Sequence, residues 1–162
     1  RVGYDYPVFI HTTLNALNFQ QVEEILSFWR SNGLGVRGVM FSTWTPIANA
    51  GDERFRLTDA QLEEIAQTLG QAKAEYGDFV VNSTWMIEQL EPAKMRRQMP
   101  DNCSMSKLVA SYRADGTRKP MCIFGDQADC SGCGCASKHM VDGQRARNPG
   151  TQRSAALLAD AA

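Results

Sequence analysis

All five cysteines of this chain lie in one stretch, Cys103-x12-Gly116-x5-Cys122-x7-Cys130-x2-Cys133-x-Cys135. Cysteines used as small core hydrophobes occur singly. Thiols gathered this tightly point to cross-linking, by disulfides or by a metal. The odd number leaves one thiol over if all the others pair. In a reducing compartment, Cys-x2-Cys spacing belongs to metal ligands more than to structural disulfides. A metal or iron–sulfur centre within residues 101–140, in a cytoplasmic protein, is the expectation.

Other features narrow the class. The longest apolar runs, Val8–Ile10 and Val39–Phe41, are far too short to cross a bilayer, and the N-terminal residues lack a signal-peptide pattern. A net charge of -1 carries no global nucleic-acid or membrane signal. The short basic patches, Lys94–Arg96–Arg97 and Arg145–Arg147, read as solvated surface. A hydrophobic content of 43% over 162 residues predicts one domain with a real core and a small appendage.

The first part of the chain alternates between two periodicities. Tyr6–Thr12 is a short apolar run of the buried parallel-strand type. Asn18 with Gln21 forms a capping-box pattern, and Val22, Ile25, Leu26 and Trp29 then mark one helix face. Val36–Thr43 is a second strand. After a polar loop, Thr58 with Gln61 gives another capping box ahead of Leu62, Ile65, Ala66 and Leu69, and Gly77 ends that helix. Asp78–Ser83 is expected as a third strand. Met86–Met99 reads as helical, with a kink or restart at Pro92. Strand–helix–strand–helix–strand predicts an α/β fold with three parallel βα units over residues 1–100.

Beyond Pro100 the composition changes. Val109–Arg113 and Thr117–Met121 flank Asp115-Gly116, the dipeptide of a type I′ hairpin. Gly125–Gly134 is irregular and glycine-rich, suited to wrapping amides around an anionic centre. Residues 141–162 read as a flexible tail.

These elements in this order resemble the second half of a radical S-adenosylmethionine (SAM) enzyme, over roughly residues 6–136. The strand opening His11-Thr12-Thr13-Leu14-Asn15 resembles the fourth strand of the family's barrel. Phe41-Ser42-Thr43 and Asn82-Ser83-Thr84 resemble the ends of the fifth and sixth. Tyr112 to Cys122 is similar to the hairpin of SPASM/twitch auxiliary-cluster domains, and Cys122 to Cys135 resembles the C-terminal signature of some family members. The family's Cys-x3-Cys-x2-Cys motif is absent from this sequence. The spacing of Cys130, Cys133 and Cys135 is also tighter than in the twitch pattern.

The resemblance implies half of a partial TIM-type barrel followed by an auxiliary [4Fe–4S] module. It makes this chain the C-terminal part of an enzyme that cleaves SAM to a 5′-deoxyadenosyl radical for hydrogen abstraction. The part alone is expected to be inactive. SAM is the implied cofactor, with Thr13, Asn15 and Ser42 as contacts, though loop capping accounts for each of them singly. An electron donor such as a flavodoxin or ferredoxin and an unidentified small-molecule or peptide substrate are the implied partners.

Cluster ligation takes four thiolates. Cys103, Cys122, Cys130 and Cys133 are the expected set, with Cys135 as competitor. Four thiolates also suit zinc, leaving a non-catalytic metal module as the alternative. Of the two histidines, His11 reads as a satisfied core residue and His139 as surface. Trp29 reads as helix core. Trp44 and Trp85 follow strand ends, where they pack or touch substrate.

Overall fold

The computed structural model describes residues 6–47, 53–97, 103–119, 122 and 124–147. Strand β1 spans Val8–Leu14, helix α1 Val22–Ser31 and strand β2 Val36–Thr43. The two strands pair in parallel, with His11 opposite Met40 and Thr13 opposite Ser42. Helix α2, Asp59–Tyr76, follows. Its capping box is complete: the Gln61 N–H donates to Thr58 Oγ1 at 3.3 Å, and the Thr58 N–H donates to Gln61 Oε1 at 2.9 Å.

The first capping box does not form. Asn18 precedes a 3-10 turn, Phe19–Gln21, and makes no side-chain cap bond there. Its Oδ1 accepts the Asn15 N–H at 2.8 Å and its Nδ2 donates to the Thr13 carbonyl at 3.2 Å, tying the end of β1 to the turn. Both arrangements satisfy the same amide, and the strand-end loop takes it.

The largest difference from expectation is the third strand. Within Asp78–Ser83 only Val80 bridges β2, in parallel at Val39, and the Val81 N–H bonds the Val39 carbonyl at 2.9 Å. A 3-10 turn over Gly77–Phe79 takes up the residues before it. After it, the Asn82 side chain takes over the pairing: its Oδ1 accepts the Phe41 N–H at 2.7 Å and its Nδ2 donates to the Phe41 carbonyl at 2.8 Å. Among the described residues the sheet is therefore two-stranded, and three βα units are not shown. Gly38 permits the close approach, since a Cβ there would lie 2.8 Å from Val81 Cγ2 and 2.9 Å from the Phe79 carbonyl.

Ser83 accepts the Met86 N–H and starts helix α3, Thr84–Glu88; helix α4, Pro92–Met95, begins afresh at Pro92. One α-helix through this region is excluded because the residue before proline avoids helical geometry, and Glu91 is extended with ψ 134. Helix α5, Ser104–Leu108, was not foreseen.

The core lies on one face of the sheet. Leu14, Val39 and Phe41 meet Val22 and Leu26 of α1, Ile65 and Leu69 of α2, and Val80, Ile87, Leu90 and Met95. The opposite face bears Phe9, His11 and Thr13 beside Met40 and Ser42, and Phe9 is 55% exposed. A parallel sheet ordinarily has both faces covered; here the β1 residues Phe9, His11 and Thr13 stay exposed on the second face, while Ser42 near the end of β2 is buried.

The hairpin after residue 109 is brief. Tyr112 and Arg118 form an antiparallel bridge, the Lys119 N–H bonds the Ser111 carbonyl at 2.7 Å, and the Arg113 N–H bonds the Thr117 carbonyl at 2.8 Å. The Gly116 N–H returns to the Arg113 carbonyl at 3.0 Å, with Gly116 at φ 82. This encloses three residues rather than the two of a type I′ turn. Residues 120 and 121 of the expected second strand lie outside the described residues. The expected tail begins too early: helix α6, Ala136–Arg147, runs through residues 141–147 and packs on α3, α5 and β2. Residues 148–162 lie outside the described residues. Among the described residues, no helix is long and apolar enough to cross a membrane.

Candidate functional site

The cysteine segment is anchored where β2 ends. The Thr43 N–H donates to the Gly134 carbonyl at 3.1 Å, the Asp129 N–H to the Pro46 carbonyl at 2.9 Å, and Ile47 bridges Ala128 in antiparallel fashion. A glycine is required at 134, because a Cβ there would lie 1.6 Å from Thr43 Oγ1. The backbone beyond β2 thus serves as an edge on which residues 128–134 dock. This is the carboxyl end of the parallel strands, where open α/β sheets place their ligands.

Two short turns shape the segment. The Gly125 N–H bonds the Cys122 carbonyl at 2.9 Å, and the Cys133 N–H bonds the Cys130 carbonyl at 3.2 Å. Asp129 accepts from the Ser131 N–H at 3.1 Å and caps the second turn. Cys135 then leads into α6, its carbonyl accepting the His139 N–H at 3.1 Å.

Cys103 and Cys122 act electrostatically on Cys130, and Cys103 and Cys135 on Cys133. Burial raises the pKa of Cys130, and the nearby thiols of Cys103 and Cys122 raise it further. Burial also pushes Cys133 up to about 11, opposed by hydrogen bonds from the Thr45 side chain and the Cys135 backbone and reinforced by the charges of the Cys135 and Cys103 thiolates. The Thr45 hydroxyl donates to Cys133 Sγ at 3.6 Å. The thiolates of Cys130 and Cys133 are therefore disfavoured, first by burial and then by neighbouring thiols. All five cysteines are half-buried and none forms a disulfide. Among the described residues, no three Cys, His, Asp or Glu side chains stand in coordinating geometry. The thiols are neighbours without converging on one point.

Buried polar atoms without partners lie beside the cysteines. Four described residues carry buried side-chain polar atoms without a partner: Asn32, Thr43, Ser104 and His139. The last three border the cysteines. Thr43 packs on Gly134, Ser104 follows Cys103, and His139 lies one helical turn past Cys135. Buried polar groups are ordinarily hydrogen-bonded, so this concentration of unmet ones marks a place for a polar group.

His139 departs from its expected surface position. It is 1% exposed, lies edge-on to Trp85 with ring centroids 6.4 Å apart, and has a pKa lowered by burial to about 4. Its ring is thus neutral at physiological pH. The only sequence signal for it was its place four residues after Cys135.

No family, curated protein or solved structure matches this chain.

The remaining expected contacts separate into two groups. Thr13 and Ser42 do meet, Oγ1 to Oγ at 3.4 Å, and His11 Nε2 lies 2.9 Å from the same Ser42 oxygen. His11 is exposed on the open sheet face rather than in the core. It borders a shallow hollow of about 320 Å³ with Phe9, Ile10, Met40 and Val81. Asn15 is used locally, its Oδ1 accepting the Leu17 N–H at 2.9 Å. Trp44 tilts against Phe55 at 6.3 Å and lines a second cleft of about 200 Å³ with Pro46, Arg56, Arg96, Asp129 and Gly132. That cleft adjoins the cysteine segment.

Proposed function

We propose that this chain binds an iron–sulfur cluster through its cysteines and is the auxiliary-cluster part of a radical SAM enzyme working in a reducing, cytoplasmic setting. The observation that carries the metal reading is the gathering of thiols from three separate stretches, at Cys103, at Cys122 and at Cys130–Cys135, beside the end of β2. Bordering them with buried polar atoms that lack partners supports the same reading. The enzyme assignment rests on the motif resemblance. It is supported by the polar row His11, Thr13 and Ser42, in which the exposed His11 and Thr13 bond the buried Ser42 hydroxyl.

Cys103, Cys122, Cys130 and Cys133 hold the cluster, with Cys135 as the competing thiolate. When bound, a [4Fe–4S] centre supplies one-electron chemistry or an open iron for substrate. The chain's own contributions are the Thr45 hydroxyl, which donates to Cys133, and a half-buried setting that limits solvent access. Thr13 and Ser42 present hydroxyls to SAM or substrate at the sheet face, while Asn15 shapes the loop beside them. A flavodoxin or ferredoxin supplies electrons to the whole enzyme, and the substrate is a small molecule or peptide.

Anaerobic reconstitution with ferrous iron and sulfide tests this reading. Uptake of about four iron and four sulfide per chain, with absorbance near 400 nm, is the expected result. Stoichiometric zinc without sulfide would replace the cluster by a structural zinc site on the same thiols.

A further inference from the structure

We propose that the cleft beside the end of β2 binds a small α-amino acid with an aliphatic side chain, gripping its carboxylate and its ammonium group at once. The inference stands on the cleft alone and goes beyond the cluster reading, which it does not need.

The fold sets the place. Trp44 directly follows β2, so the cleft lies at the carboxyl end of the parallel strands, where open α/β sheets hold their ligands. The first turn of α2 lines it with Asp59 and Leu62, and α4 and its end line it with Pro92, Met95 and Arg96. Much of the lining is apolar and closed to water: Pro46, Leu62, Pro92 and Met95 are buried. At about 200 Å³ the cleft falls below the range of roughly 300–1,000 Å³ that takes drug-sized ligands, and suits a molecule of amino-acid size.

The polar lining carries both signs of charge. Arg56 commits Nε and Nη2 to Glu53, at 2.6 and 3.3 Å. Its Nη1 stands 4.0 Å from Asp129 Oδ2, beyond hydrogen-bond reach. Asp129 in turn accepts the Ser131 N–H and hydroxyl on Oδ1, at 3.1 and 2.5 Å. A donor nitrogen and an acceptor oxygen thus stand across a gap with no hydrogen bond between them. Arg96 adds a second guanidinium, which donates to Asp59 Oδ2 through Nη1 at 2.5 Å and has further N–H groups to offer.

This balance selects the ligand. A simple anion in the cleft meets Asp59 and Asp129, and a simple cation meets Arg56 and Arg96. A molecule with both charges on one carbon complements both. Its carboxylate accepts from Arg56 Nη1, its ammonium donates to Asp129 Oδ2, and its side chain enters the apolar part beside Leu62 and Met95. No covalent bond forms or breaks.

The test is isothermal titration calorimetry of the full chain as purified, with L-leucine and L-methionine as probes. Saturable binding of one molecule per chain is expected at millimolar concentration or below. Isocaproate, which lacks the ammonium of leucine, and isoamylamine, which lacks the carboxylate, should each bind at least about tenfold more weakly, the effect of losing one charge-assisted hydrogen bond. Asp129→Asn, which keeps an oxygen for Ser131, should weaken leucine to the level of isocaproate without weakening isocaproate itself. Arg56→Gln should weaken leucine and isocaproate alike and leave isoamylamine unchanged. No saturable binding of either amino acid overturns the proposal, as does either one-charge analogue matching leucine on the parent chain. S-adenosylhomocysteine binding more tightly than methionine would give the cleft to the amino-acid end of SAM and also overturns it. Iron and sulfide uptake is measured separately, so the cluster reading stands or falls apart from these results.

Discussion

The Asn82 carboxamide bonds both backbone groups of Phe41, accepting its N–H at 2.7 Å and donating to its carbonyl at 2.8 Å. A side chain thus completes the edge of β2 that a third strand would otherwise pair. Asn82 is 1% exposed, so neither Phe41 group has water as a substitute. Asn82→Leu leaves a buried N–H and a buried carbonyl unmet, at about 1–3 kcal/mol each. The expected loss is about 2–4 kcal/mol, read from the urea midpoint at constant m-value. A loss below about 0.5 kcal/mol would show that the pairing contributes little.

Gly134→Ala places a methyl group against Thr43 Oγ1 and separates the cysteine segment from the end of β2. Overpacking of this kind costs about 1–3 kcal/mol. Reconstituted Gly134→Ala should retain less iron than the parent, whereas Gly132→Ser, at a half-buried turn where a Cβ meets the Pro46 ring carbons at 2.9–3.0 Å, should retain more than Gly134→Ala. Equal iron content in all three proteins would dissociate docking from metal binding.

Removing individual thiols ranks the ligands. Cys122→Ala or Cys133→Ala is expected to abolish cluster retention, and Cys135→Ala to weaken it less. Iron and sulfide analysis after desalting makes the comparison. An essential Cys135 with a dispensable Cys133 would change the ligand set without removing the site.

The Thr58–Gln61 box gives a calibration far from the cysteines. Thr58→Ala should cost about 1 kcal/mol and Thr58→Ser much less, because the hydroxyl is what bonds the Gln61 N–H. Thermal or urea denaturation checks this, and bound iron should not change in either variant.

The open sheet face carries the last expectation. Phe9 is 55% exposed beside Met40 and Val81, and apolar sheet surface left uncovered promotes association. The isolated chain should show concentration-dependent oligomers in sedimentation velocity, reduced by Phe9→Lys. It should form no 5′-deoxyadenosine from SAM and dithionite by itself. A monomer at all concentrations with a cooperative thermal transition would mean that the two-stranded unit is self-sufficient.

Local chemistry was sufficient for some features. Thr58 and Gln61 make their reciprocal bonds because a capping box needs only residues three apart. Val36–Thr43 pairs as a parallel strand over its expected length, and Pro92 restarts a helix because a proline's ring acts on its immediate neighbour. Other features depended on partners distant in sequence. Asn82 faces Phe41 across 41 positions, and whether Asp78–Ser83 pairs as a strand or through that amide was decided by packing beside Gly38. His139 is buried because α6 lies against α3 and α5, and α6 itself has few apolar residues to announce it. His11 is exposed because helices cover only the other face of the sheet. Sequence determines what a residue can bond to within a turn or two, since those neighbours are fixed by the chain. Which polar groups are cut off from water depends on surfaces brought together from far apart, and only the tertiary structure decides that.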